Sequence, residues 1–222
     1  MEVTFNSYAK VNLYLRIFQK LKSGYHKLES VMQRIDLFDV MKFEKTDGSI
    51  EVHSNNKDIE NEDNLAYKAA TLLKEKENVK HGVKIYIEKN IPLSSGLGGG
   101  SSNAGTTILA LNKLWKLKLD EKTMIKYGSE LGSDVPFFLS ENAAFVSGIG
   151  EIIKPIKKPY KMNIVLINPG FRVSTKATYK LLDRFKGATQ KKLPSSAMVK
   201  AMANNSIKEI SDNIYNDFEA PM

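Results

Sequence analysis

Near the start of the chain, Val11, Leu13 and Leu15 alternate with Asn12, Tyr14 and Arg16. That period of two predicts a half-buried strand. Ser23-Gly24 signals a turn. Val40 to Glu44 and Ile50 to His53 flank Asp47-Gly48, which predicts a hairpin. Ala66, Ala69, Ala70 and Leu73 then fall at helical spacing behind the capping pair Asp63-Asn64. Val83, Ile85 and Ile87 alternate with Lys84, Tyr86 and Glu88, a second clear strand, closed by Pro92. Ala104, Ile108, Leu111 and Trp115 line one face of a helix. A further helix is expected over Glu121 to Leu131. Ala143 to Val146 reads as strand, with Gly148 and Gly150 turning before Ile152. Lys154 to Lys161 is polar and carries Pro155 and Pro159, a linker pattern. A strand at Asn163 to Asn168 and two helices follow. Strands and helices mix without strict alternation, so the fold class is α+β.

The 222 residues have room for one large domain or two small ones. There is no cysteine, so disulfides, thiolate metal sites and cysteine nucleophiles are excluded. With only three histidines, and His53 and His81 isolated, a zinc site is not expected. The first residues lack a basic start and apolar stretch, and no apolar run approaches the ~18 residues of a membrane span. A cytoplasmic protein without membrane attachment is expected. The net charge of +8 rests on 29 lysines and four arginines, spread along the chain. Arginine is the usual base-reading residue, so this reads as a solvated lysine surface rather than a nucleic-acid face. The field would still gather an anionic substrate.

The densest chemistry lies in Pro92-Leu93-Ser94-Ser95-Gly96-Leu97-Gly98-Gly99-Gly100-Ser101-Ser102-Asn103, between a strand and a helix. Glycines let backbone approach a ligand closely. The first N–H groups of a helix are unpaired and carry partial positive charge, an anion site suited to phosphate. Ser101, Ser102 and Asn103 are candidate helix caps, and their side chains could reach a phosphate or magnesium. A plain strand–helix loop is the alternative, but it needs fewer glycines. No lysine follows the glycines as in the Walker pattern, and Ser101 stands where the dinucleotide pattern wants its last glycine.

Pro92 to Ala104 resembles the ATP-binding signature of the GHMP superfamily, the galactokinase, homoserine kinase, mevalonate kinase and phosphomevalonate kinase group. Three further segments resemble, within it, the kinases of 4-diphosphocytidyl-2-C-methyl-D-erythritol in the non-mevalonate isoprenoid pathway. They are Ser7-Tyr8-Ala9-Lys10-Val11-Asn12-Leu13, Gly24-Tyr25-His26 and Gly132-Ser133-Asp134-Val135-Pro136-Phe137-Phe138. Order and spacing agree from the start to Asn216-Asp217-Phe218-Glu219. The resemblance implies a two-lobed GHMP kinase fold. The N-terminal lobe, 1–153, would be like domain 2 of ribosomal protein S5. A linker at 154–161 would lead to a partial ferredoxin-like lobe at 162–222, with the active site in the cleft.

By itself Lys10 reads equally well as a solvated strand lysine, and Asp134 as a helix cap. The resemblance implies instead that Asp134 takes the proton of the substrate hydroxyl and that Lys10 stands beside it. Tyr25 and His26, otherwise loop or partial core, would hold the cytosine, Tyr25 by stacking and His26 by pairing. Tyr179 would be the opposite aromatic wall; Asn12 and Thr175 would touch the same substrate. Asn64, Leu65 and Lys89 would lie on the adenine side. ATP and Mg2+ are the implied cofactors, with no residue assigned to the metal, and the protein would be a monomer or weak homodimer. Another superfamily kinase is a rival, disfavoured by Gly24-Tyr25-His26. An RNA-binding module is a second rival, disfavoured by low arginine and by Lys10 with Asp134. The family has a third glycine-rich motif near its C-terminus, and no glycine follows Gly187 here. The chain is therefore expected to be C-terminally shortened and feebly active or inactive.

Overall fold

The computed structural model describes residues 2–140, 142–157, 159–168, 170, 175–184 and 194–219; within these, the side chains of 175–177 and 184 are not described. The chain forms two compact units. The first holds Met1–Ala9, Ile35–Leu93 and Gly98–Ser140; the second holds Lys10–Arg34, Ser94–Leu97 and Glu141–Met222. Two long strands, β1 (Glu2–Lys20) and β2 (His26–Thr46), contribute residues to both. The turn between them uses Gly24 at φ +88°, as Ser23-Gly24 predicts.

In the first unit, β3 (Ile50–Ser54) pairs parallel with β4 (Gly82–Glu88), and β4 pairs antiparallel with the end of β2, Val40 opposite Glu88. The hairpin expected across Asp47-Gly48 therefore does not form: β4 lies between β2 and β3. Gly82 is the physical reason. A Cβ there would sit 1.8 Å from the Ser49 carbonyl oxygen, so only glycine lets β4 enter beside that turn, where the next residue, Val83, donates to Ser49 O at 2.9 Å. Helix α1 (Leu65–Lys76) starts as predicted, its Asn64 cap accepting from Ala66 N at 2.8 Å. Ala66, Ala69, Ala70 and Leu73 are fully buried against α2 (Gly99–Leu114). Burying Leu73 alone stabilises by about 1.5–3 kcal/mol. Helix α3 (Glu121–Leu131) is capped by Asp120, and the short α4 (Val135–Phe138) follows. Met41, Phe43, Ile85, Ile108 and Leu111 centre this core.

In the second unit, Leu28 to Gln33 of β2 pair antiparallel with β5 (Ala143–Gly148), which pairs with β6 (Ile152–Pro155). The described helices are α5 (Thr175–Arg184), α6 (Ser195–Ala203) and α7 (Ile207–Asn213), and β7 (Tyr215–Asn216) adds parallel to β1. Met198, Ala201, Met202 and Ile210 pack against Leu13 and Tyr14. Alternation puts Tyr14 on the polar side of β1, yet it is buried, because its ring packs on Tyr215, centroids 5.7 Å apart.

The strand expected at 163–168 is absent: this stretch carries no ladder. Val165 and Ile167 are 86% and 88% exposed. Apolar, β-branched residues favour extended backbone, but a strand also needs a partner for its N–H and C=O groups.

Candidate functional site

The glycine-rich turn is divided between the units: Pro92, Leu93 and the residues from Gly98 on belong to the first, Ser94–Leu97 to the second. In the second unit, Ser94 and Gly96 take positive φ (55° and 76°), and Lys10 donates its backbone N–H to Leu97 O at 3.0 Å. In the first unit, Gly98, at φ +71°, is the N-cap of α2 and offers no side-chain cap. The helix therefore begins inside the glycine run, at Gly99. Ser101 and Ser102 are not caps but first-turn residues, and Asn103 opens the second turn. With the cap position held by a glycine, no N-cap side chain satisfies the opening N–H groups of α2, which suits an anionic ligand.

Ser102 is buried, and its hydroxyl donates to the Tyr8 carbonyl at 2.6 Å and accepts from Ser7 at 2.8 Å. Asn103 donates to Ser7 Oγ at 2.9 Å and to Asp39 Oδ2 at 2.9 Å. These two side chains are thus committed to the protein itself, while Ser101 is half-buried. Gly100 is exposed, Pro92 and Leu93 are half-buried, and Ser95 completes the turn.

Lys89 ends up 5% exposed in its side chain, its ammonium bonded to Asp39 Oδ2 at 2.7 Å and Ile91 O at 2.8 Å. Burial pushes its pKa below the usual lysine value, and Asp39 opposes that shift. Asn64 caps α1, and the Leu65 side chain lies 3.7 Å from where a Gly100 Cβ would be.

In the second unit, Lys10 is buried at 4% exposure. Asn12 is half-buried, its Oδ1 accepting from Ser30 Oγ at 3.3 Å. Tyr25 is 59% exposed beside the turn. His26 opens β2 and its ring stacks on Tyr179, centroids 5.0 Å apart at 22°, while Tyr179 meets Phe218 edge-on. His26 Nε2 lies 2.8 Å from Asp183 Oδ1, and Lys20 Nζ lies 2.8 Å from Asp183 Oδ2. The bond from Lys20, then that from His26, holds the Asp183 carboxyl below the usual carboxylate value. The structure thus brings His26 and Tyr179 together. Thr175 is the first residue of α5, and its side chain lies outside the described residues.

Asp134 belongs to the first unit and Lys10 to the second. Asp134 stands at the N-cap of α4, half-buried, but its carboxylate makes no capping bond, so the cap reading of this residue does not hold. Sequence reasoning missed Asp39 and Asp183. For Asp39 a signal existed: a lone carboxylate inside the apolar run Leu37-Phe38-Asp39-Val40-Met41. For Asp183, at helical distance from Tyr179, there was none.

The model of the GHMP kinases N terminal domain matches residues 64–142. A 4-diphosphocytidyl-2-C-methyl-D-erythritol kinase of Caldicellulosiruptor saccharolyticus is 42% identical over 215 residues, 96% of this chain and 73% of that protein. The protein of the same name from Clostridioides difficile is 40% identical over 98% of this chain and 74% of its own length. A crystal structure of 4-(cytidine 5'-diphospho)-2C-methyl-D-erythritol kinase superposes with a TM-score of 0.75 at 32% identity, covering 99% of this chain and 76% of that one. A mevalonate pyrophosphate decarboxylase from Streptococcus pyogenes, at 16% identity and a TM-score of 0.71, shares the fold. Such identity over nearly the whole chain, with the glycine turn opening α2, decides the matter: the chain belongs to the 4-diphosphocytidyl-2-C-methyl-D-erythritol kinase family of the GHMP kinases.

Proposed function

We propose that the protein transfers the γ-phosphate of ATP to the 2-hydroxyl of 4-diphosphocytidyl-2-C-methyl-D-erythritol, a step toward isoprenoids. The observation that carries this is the 42% identity to a kinase of that name across 96% of the chain. The opening of α2, with Pro92 to Ser102, receives the phosphates. Asn64, Leu65 and Lys89 serve the adenine side, with Asp39 confining the Lys89 ammonium. Tyr25, His26 and Tyr179 take the cytosine, with Asn12 and Thr175 on the same substrate.

In the reaction, Asp134 accepts the hydroxyl proton as the oxygen bonds to the γ-phosphorus and the bridge to ADP breaks. The positive charge of Lys10 favours the developing alkoxide. A carboxylate is a weak base, but phosphoryl transfer rests mainly on positioning and charge stabilisation. Magnesium, brought by the nucleotide's phosphates, would neutralise part of their charge. Among the described residues no three acidic or histidine side chains stand together as a metal cluster, and no residue is assigned to it. A cytoplasmic monomer or weak homodimer, without nucleic-acid or membrane partners, completes the reading; no described helix is long and apolar enough to cross a membrane. Residues 1–153 and 162–222, joined by 154–161, are its lobes.

The test is ADP release with the cytidyl substrate, homoserine or mevalonate. Release above the ATP-only background is expected with the cytidyl substrate alone. Asp134→Asn should keep nucleotide binding and lose about 100-fold or more in turnover. A response to mevalonate or homoserine but not to the cytidyl compound overturns the substrate.

A further inference from the structure

Asp39 is a fully buried carboxylate whose part above is only to confine the Lys89 ammonium. It accepts four hydrogen bonds: from Lys89 Nζ at 2.7 Å, Asn103 Nδ2 at 2.9 Å, and the backbone N–H groups of Asn90 and Ile91, both at 2.8 Å. A buried carboxylate persists only when paired and fully bonded, and this one is. What it bonds is informative. Asn90 and Ile91 lead into the glycine-rich turn. Asn103 lies in the opening turns of α2, and its amide also reaches Ser7. The neighbouring Ser102 is tied to Ser7 and to the Tyr8 carbonyl. Gly99, the first residue of α2, packs so closely that a Cβ would lie 3.0 Å from Lys89 Nζ and 3.1 Å from Ile91 Cγ2. One carboxylate therefore fixes the backbone before the glycines and the helix after them.

We propose that Asp39 is a positioning residue for nucleotide phosphate. Acting through Asn103 and the Lys89–Ile91 corner, it holds the opening N–H groups of α2 in place before ATP arrives. It does not touch the nucleotide. The inference rests on the reading of α2 as the phosphate site. An anion cradle of backbone N–H groups works only if those groups already converge, since reordering them would be charged against binding. The sequence offers no Walker lysine to hold the phosphates by charge, so the placement of these backbone groups matters more here.

Asp39→Asn is nearly isosteric and puts an amide donor opposite either the Lys89 ammonium and the Asn103 amide or the Asn90 and Ile91 N–H groups, breaking the links of one carboxylate oxygen. Asn103→Ala cuts the tie from Asp39 to α2, together with the Asn103–Ser7 bond, and leaves the Asp39–Lys89 pair intact. The binding of ATP and of adenosine to the parent and both variants is measured by displacement of a fluorescent ATP analogue, with a thermal melt of each. The expected result is a roughly tenfold weaker affinity for ATP in both variants, equivalent to ~1.4 kcal/mol, with adenosine affinity unchanged in Asn103→Ala, which leaves Lys89 paired with Asp39. A merely structural role would weaken both ligands together or lower the folded fraction. A folded variant with parental ATP affinity overturns the proposal, as do parallel losses of ATP and adenosine in Asn103→Ala. If Asp39→Asn fails to fold, Asn103→Ala decides. Failure of both to fold leaves Asp39 a structural residue and overturns its positioning role. Failure of the parent to bind ATP removes the phosphate reading itself, a separate outcome.

Discussion

Gly100→Ala separates phosphate binding from stability. Gly100 is the second residue of α2, exposed, and its φ is not positive. A Cβ there meets only Leu65 Cδ1, at 3.7 Å, an ordinary contact. Alanine therefore introduces no strain and gains helix propensity, worth up to ~1 kcal/mol in a helix interior and about half that in a first turn. The variant should melt at or above the parent's temperature. If the start of α2 receives phosphate, however, the new methyl group stands on the open side where the ligand must come. ATP affinity should then fall about tenfold or more, ~1.4 kcal/mol at least. Gly99→Ala makes a contrast, because its Cβ would crowd Lys89 and Ile91, both held in place. Overpacking costs about 1–3 kcal/mol, less the propensity gain, so Gly99→Ala should be destabilised or neutral. Losing ATP binding there would not tell phosphate contact from distortion. Calorimetric titration with ATP and thermal melts of all three proteins suffice. Parental ATP affinity in Gly100→Ala would refute the phosphate cradle.

Tyr25→Ala should weaken binding of the cytidyl substrate by ~1–3 kcal/mol, a typical base-stacking loss, and leave ATP affinity alone; equal losses for both ligands would point to a structural role. Gly82→Ala should cost about 2–5 kcal/mol in urea unfolding, since relieving a 1.8 Å contact with Ser49 O means overpacking plus lost hydrogen bonds. A loss under ~1 kcal/mol would show that β4 does not enter so tightly. The depressed pKa of Asp183 gives a pH signature. Its stabilisation is fully present above the unfolded carboxyl's value and is lost as pH falls through the folded one. The gap in melting temperature between the parent and Asp183→Asn should thus be steady near neutrality and close below about pH 4. A gap that persists unchanged in acid would show that the ion pairs do not set it.

Where one local pattern decided the outcome, the sequence was legible. Ala66 to Leu73 and Ala104 to Leu111 announce their helices through spacing, and the β4 alternation matches its buried face. Asp47-Gly48 misled because a turn signal says the chain bends, not which strand will lie alongside; Gly82, more than thirty positions on, settled that. Residues 163–168 have strand propensity, but pairing is a property of two segments. The serines and Asn103 after the glycines looked like caps because those residue types favour helix starts, yet an αL glycine began the helix earlier and freed their side chains for Ser7, Tyr8 and Asp39. Asp39 was invisible as a hub because its bonding partners lie 50 to 64 positions away.

The division of β1 and β2 between the units bears on how the chain emerges from the ribosome. Leu28 to Gln33 must wait for Ala143 to Gly148, more than a hundred positions downstream, before one of their edges is paired. At translation speeds of roughly 5–20 residues per second, that wait is on the order of ten seconds. Meanwhile the later part of β2 can join β4 as soon as Glu88 has appeared. One strand is thus closed at its C-terminal half while its N-terminal half stays open, an apolar edge carrying Leu28, Val31 and Met32 to which nascent-chain chaperones would be drawn.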